Sequence, residues 1–203
     1  MMDFSAAKLS EKAQYNLLIG AILPRPVVLV ATQSTTQVLN LAPFSFVNIV
    51  SYQPAILSLS VQRKNGEMKD TARNLLAQKE AVVHVVSETI LADANQTAAP
   101  LLPNESELAR TQFTLATSKC VNVPAIREAD VRYEVRLYQH VPIQQANQEV
   151  TADLFLLEVV HYHIAETIYA NGHIDVRALN PMSRLAGSHY AKIGDLITLE
   201  RPQ

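Results

Sequence analysis

Residues 131–137 alternate without a break. Val131, Tyr133, Val135 and Leu137 fall on one side, with Arg132, Glu134 and Arg136 on the other. A side-chain period of two marks a β-strand with one apolar and one polar face. Asp153 to Ile164 forms a second strand-like stretch, and the polar residues Gln144 to Thr151 can turn the chain between them, so the pair is expected to form a long antiparallel hairpin. Such a hairpin constrains the fold strongly, because a doubly wound parallel sheet needs a crossover between each pair of neighbouring strands.

The remaining segments read the same way. Val27 to Ala31 is an unbroken apolar run, expected as a strand buried on both faces. Val38 to Val50 is expected as a second strand, in which Pro43 predicts an edge position, a bulge or a bend. In Ile56 to Val61, Leu57, Leu59 and Val61 alternate with Ser58 and Ser60, which puts small hydroxyls on one face of a half-buried strand. Ala81 to Val86 is a further strand and Phe113 to Thr117 a weaker one.

Helical signals are few. Leu9 to Leu18 reads as a short helix with Ser10 as N-cap, ended by Pro24 and Pro26. Met68, Ala72, Leu75 and Leu76 follow the helical period and predict a helix to about Gln78, with Asp70 as its N-cap. Glu88 to Arg110 is expected as short helices and loops. The pattern predicts a mainly β protein with peripheral helices, a barrel rather than a parallel sheet, in one domain over residues 1–203.

Composition narrows the function. The chain is 48% hydrophobic and 18% charged, which opposes disorder. Its 17 basic and 19 acidic residues give a net charge of −2, and no basic run could track a nucleic-acid backbone. Cys120 is the single cysteine, so an intramolecular disulfide and a CxxC pair are excluded. No basic start leads into an apolar core at the N-terminus, and the most apolar window, Leu17 to Ala31, is broken by Pro24, Arg25 and Pro26. A cytoplasmic protein without membrane contact is expected.

The five glycines, Gly20, Gly66, Gly172, Gly187 and Gly194, cannot build GxGxxG or a Walker loop. A phosphate would have to be held another way. Residues 60–71 offer one: a strand bearing small hydroxyls ends in a basic loop that feeds a helix N-terminus, where backbone N–H groups, Arg63, Lys69 and Thr71 can converge on an anion. From the residues alone this remains open against an ordinary strand–loop–helix with solvated charges. Asn40 to Asn48 places Asn40, Ser45 and Asn48 in an apolar strand, able to line the edge of a flat heteroaromatic ring or simply to form a core strand with a proline bulge.

Pro24 to Thr32, Asn40 to Asn48, Lys69-Asp70-Thr71-Ala72-Arg73-Asn74, Asn122-Val123-Pro124 and Leu179 to Gly187 with Tyr190, taken in this order, resemble the flavin reductase-like FMN-binding family over residues 10–192. The resemblance implies a Greek-key split β-barrel that forms a homodimer and holds FMN near the subunit interface. It implies that Asn40, Leu41, Ala42, Pro43, Phe44 and Ser45 flank the ring and ribityl chain. Ser60, Arg63, Lys69 and Thr71 would hold the phosphate, with Arg184 and Tyr190 closing the site. Two residues depart from the family pattern. His84 stands where asparagine is usual, with an expected effect on polar contacts near the flavin, and Ala186 replaces the first glycine of the closing pair.

Other chemistry has weaker support. His161 and His163 are expected to share a strand face with Phe155, Leu157 and Val159, but no third metal ligand is near in sequence, so no metal site is expected. There is no GxSxG nucleophile elbow, and Cys120 has no activating neighbour. The expected function is an FMN-dependent oxidoreductase taking hydride from NAD(P)H as a transient reductant. The alternatives are a non-catalytic FMN electron carrier or sensor, and a split-barrel interaction protein without cofactor.

Overall fold

In the computed structural model, which describes residues 1–202, the expected hairpin forms and anchors a seven-stranded antiparallel sheet. In chain order the elements are α1 (Glu11–Ala21), β1 (Val28–Gln33), β2 (Leu39–Phe44), β3 (Val47–Tyr52), β4 (Ala55–Gln62), α2 (Asp70–Gln78), β5 (Glu80–Val85), α3 (Leu91–Gln96), β6 (Val131–Gln144) and β7 (Val150–Ile164). The sheet runs β2-β1-β5-β6-β7-β4-β3. Its two edges, β2 and β3, are therefore consecutive in the chain and separated only by Ser45 and Phe46. Edges so joined cannot lie at opposite sides of a flat sheet. The sheet rolls into a barrel whose seam stays split, the mainly β split-barrel fold expected from the sequence.

One apolar cluster takes side chains from every strand and fills the barrel. It includes Val30, Leu59, Val61, Val83, Val135, Phe155 and Leu157, with Ala72 and Leu75 of α2 closing one end. A second cluster lies on the outer face of β1, β2 and β5, under residues 86–129, and includes Leu29, Leu41, Val82, Phe113 and Ile126. Strand β1 contributes to both, which explains its unbroken apolar run. Each fully buried Leu or Phe contributes about 1.5–3 kcal/mol of transfer free energy.

The structure corrects three local expectations. Val38 to Val50 is two strands, broken at Ser45–Phe46 and not at Pro43. Pro43 pairs with Leu29 on an edge strand, where its missing N–H costs no ladder bond. Lys69, not Asp70, is the N-cap of α2. Asp70 is its first helical residue and pairs with Arg73. A bulge at Val160 turns His161 and His163 away from Val159 and onto the face of Glu134. There Glu134, on the polar side of the 131–137 alternation, is fully buried. Its carboxylate accepts from the N–H groups of Lys119 (2.7 Å), Cys120 (2.5 Å) and Val121 (3.1 Å) and from His163 Nε2 (2.5 Å). His84 is a core residue. It is fully buried, its Nδ1–H donates to Leu29 O (2.9 Å), and its Nε2 accepts from Ile126 N–H (2.9 Å).

Ser10 does cap α1, accepting from Ala13 N–H at 3.2 Å, and the helix runs past Leu18 to Ala21. Only Ile19 of α1 is buried. In the closing segment Gly187 takes a left-handed conformation (φ 62°) and Ala186 does not, so alanine is tolerated at the first position of that pair.

Candidate functional site

A cleft of about 420 Å³ opens where the end of α1, the β2–β3 turn, the start of α2, the end of α3 and the closing segment 183–191 meet. That volume is in the range of small-molecule sites, roughly 300–1,000 Å³. Arg25 holds this junction together. It is buried, Nη1 donates to Ile19 O (2.9 Å) and Ile22 O (2.8 Å), and Nη2 donates to Leu185 O (3.0 Å). Two carbonyls at the C-terminal end of α1 are thereby satisfied, and the backbone of Arg25–Pro26 pairs with Ser183–Arg184. The guanidinium lies 5.9 Å from the Phe46 ring centroid. Its buried Nε has no partner in the chain.

One end of the cleft is cationic. Lys69 lies at the N-cap of α2, no side chain caps that helix, and among the described residues no carboxylate pairs with Lys69. The surrounding protein, and secondarily the Lys64 charge, pull the Lys69 ammonium below the ordinary lysine value. An unpaired cation at the positive end of a helix dipole is a site for an anion. Ser60 and Gln62 of β4 line the same region, with Gln62 Nε2 donating to Ser60 Oγ at 3.0 Å.

The walls are aromatic. Phe44 and Phe46 flank the β2–β3 turn, Tyr15 comes from α1, and Tyr190 from the closing segment. Tyr190 and Arg184 are register partners, and the Arg184 guanidinium stacks 4.5 Å from the ring centroid. Arg184 Nη2 donates to Gly187 O (2.6 Å), and Tyr190 O–H donates to Asn95 Oδ1 (3.3 Å).

Of the residues proposed from sequence, Pro43, Phe44, Ser45, Ser60, Lys69, Arg184 and Tyr190 line this cleft. Asn40, Leu41, Ala42, Arg63 and Thr71 are not among its lining residues. Asn40 and Thr71 are buried behind it, at the start of α2. Asn40 Nδ2 donates to Thr71 Oγ1 (3.0 Å) and Thr32 Oγ1 (3.2 Å), and Asn74 Nδ2 also donates to Thr32 Oγ1 (3.1 Å). Leu41 is a core side chain whose N–H donates to buried Glu107 (2.8 Å). Ala42 pairs with Val30. Arg63 is engaged by Asp153, through Nε (2.8 Å) and Nη2 (3.0 Å).

Sequence reasoning missed Tyr15, Arg25, Gln62 and Asn95. An arginine between two prolines was a usable signal for Arg25; nothing local distinguished Tyr15 or Asn95. Among the described residues no group of three His, Cys, Asp or Glu is placed to hold a metal ion, and no helix is long and apolar enough to cross a membrane.

The family model described as Flavin reductase like domain matches residues 20–178. An uncharacterised Bacillus subtilis protein, YwrF, is 48% identical over 204 residues, covering 100% of both chains. Among solved structures, nitrilotriacetate monooxygenase component B from Bacillus cereus superposes with a TM-score of 0.96 at 42% identity, covering 98% of each chain. Flavoredoxin of Desulfovibrio vulgaris superposes with a TM-score of 0.76 at 18% identity, covering 98% of this chain and 97% of that one, a likeness of fold.

Proposed function

This chain belongs to the flavin reductase-like family, and from that premise we propose that it is an FMN-binding, NAD(P)H-dependent oxidoreductase that works as a homodimer. Membership makes it an oxidoreductase acting on flavin. The observation that carries the reading of a phosphorylated flavin is Lys69, a cation without a carboxylate partner at the uncapped N-terminus of α2, opening onto an aromatic-walled cleft; one compact anion site without a dinucleotide-binding glycine motif supports FMN.

The residues present suit a phosphorylated flat ring. Lys69, the first-turn amides of α2 and Ser60 take the phosphate, while Phe44, Ser45, Phe46 and Arg25 face the body of the ligand. Asp70 does not oppose the phosphate because Arg73 neutralises it. Bound flavin supplies the hydride acceptor. The protein's part is to fix the ring, exclude water from one side of it and leave the other side reachable. No dinucleotide-binding glycine motif is present, which supports NAD(P)H as a reductant that binds transiently in the shared cleft. Similarity to a monooxygenase component at 42% identity supports a reading in which reduced flavin serves a second protein.

The homodimer rests on exposed apolar surface. Tyr15, Leu17 and Leu18 of α1, Ile22 just past its end, and Ile49, Val50 and Tyr52 of β3 are all exposed, and an apolar groove lies between the two elements. Arg25, Ser45 and Phe46 line both this groove and the cleft, so a subunit seated there adjoins the flavin site. A closed two-fold pair is the commonest arrangement for such a patch.

The test is direct. Purified protein, loaded with FMN if it emerges colourless, should bleach on anaerobic addition of NADH or NADPH, and the chromophore released on denaturation should be FMN. Protein that neither carries nor binds FMN would overturn the proposal.

A further inference from the structure

Arg63 directly follows β4, in a position from which it organises the turn after it. Its N–H donates to Thr151 O (2.8 Å), extending the ladder to β7 by one bond. The next residues close a tight turn, with Lys64 N–H to Glu67 O (3.2 Å) and Glu67 N–H to Lys64 O (3.0 Å). Asn65 (φ 53°) and Gly66 (φ 76°) are left-handed at its tip. Lys69 follows two residues after Glu67, so the placement of this turn bears on where the cationic end of the cleft lies.

The side chain of Arg63 is fully committed. Nε and Nη2 grip both oxygens of Asp153, and Nη1 reaches Gly66 O at 3.4 Å. Asp153 is fully buried and also accepts from His140 Nε2 (2.9 Å), whose ring stacks on core residue Phe155 at 5.0 Å between centroids. Burial pushes the Asp153 carboxyl up, but Arg63 and then His140 outweigh it and hold it below the usual carboxylate range. A buried ion cluster is a poor source of net stability compared with an apolar replacement, and its geometric rigidity is what distinguishes it. Here the cluster is tied through Arg63 to the turn that leads to Lys69.

We propose that Asp153 is a positioning residue for the phosphate site: acting through Arg63, and braced by His140, it fixes the 63–69 turn so that Lys69 and the α2 N-terminus converge on the anion. The inference rests on the FMN reading above and goes beyond it, because neither Asp153 nor His140 lines the cleft. It also gives Arg63 an indirect role, as the link between the buried carboxylate and the turn.

The measurement is the ratio of FMN to riboflavin affinity, since riboflavin shares the ring and ribityl chain but lacks the phosphate. In the wild-type protein FMN should bind more tightly. Asp153→Asn, made in the full chain, should lower FMN affinity about tenfold, the scale of one lost charge-assisted bond, and leave riboflavin affinity within about twofold. Adding Arg63→Gln to Asp153→Asn should cost little more, because the two act as one unit. If Asp153→Asn does not fold, Arg63→Gln alone severs the same link from the part-exposed end, and the same ratio is read. Equal loss of FMN and riboflavin affinity, or an unchanged ratio, would overturn the positioning role. Equal binding of FMN and riboflavin by the wild type would instead overturn the phosphate reading, and this inference with it.

Discussion

His84 offers the sharpest quantitative test of the fold. Its Nε2 accepts a backbone N–H and its Nδ1–H donates to a carbonyl, so the neutral Nδ1–H tautomer is the form that fits. Burial is the main reason its pKa falls from 6.5 to about 4. For a base with a depressed folded-state pKa, the contribution is fully present above the unfolded value. It is lost as pH falls from about 6.5 towards 4, where the unfolded chain takes a proton that the folded chain refuses. At about 1.4 kcal/mol per pKa unit, the loss across that window is about 3 kcal/mol. Asp153 and Glu134, both held below the usual carboxylate range, also lose their contribution in acid. They therefore have to be subtracted. His84→Asn removes only the imidazole titration. Urea unfolding of both proteins at several pH values between 7.5 and 4 should show the wild type's advantage over the variant shrinking by about 3 kcal/mol as pH falls. Parallel stability profiles, or an imidazole titrating near 6.5 by NMR, would refute the reasoning.

Two further outcomes are expected. Lys69→Ala should weaken FMN binding roughly ten- to a hundredfold, the loss of about 1.5–3 kcal/mol for one charge-assisted contact, measured by fluorescence titration; unchanged affinity would move the phosphate elsewhere. Ile49→Asp with Tyr52→Glu, at positions 74% and 91% exposed, should leave the fold intact and shift sedimentation from dimer to monomer, whereas a dimer that survives both changes would place the interface on another face.

Period and punctuation made the barrel legible. The apolar run of β1 and the helical spacing from Met68 became the expected elements because local pattern and burial agreed there, and the alternation at 131–137 became the expected strand. Legibility failed where tertiary contacts override the pattern. Glu134 sits at a polar position in a two-residue repeat, yet three backbone amides from residues 119–121 cover it. The bulge at Val160 leaves no mark in composition, but it reverses which face His161 and His163 occupy. In the candidate site, the order of family motifs pointed to the β2–β3 turn, Lys69 and the closing segment. That Thr71 and Asn40 form a buried layer behind the cleft, and that Arg63 is taken by a carboxylate 90 residues away in sequence, depends on long-range packing. No window of sequence contains both partners.

The split seam leaves the barrel with two unlike margins. On β2, the Leu41 N–H is occupied by the Glu107 carboxylate, and Pro43, facing the same way two residues on, has no N–H to offer. That margin is sealed against strand addition from another chain. The β3 margin carries Ile49, Val50 and Tyr52 in the open. A sheet that could extend from both margins would template a filament; with one sealed, any strand addition at β3 would have no second margin from which to continue. Pro43, which suggested an edge position, a bulge or a bend, does lie on an edge, and there it withholds a donor that an added strand would need.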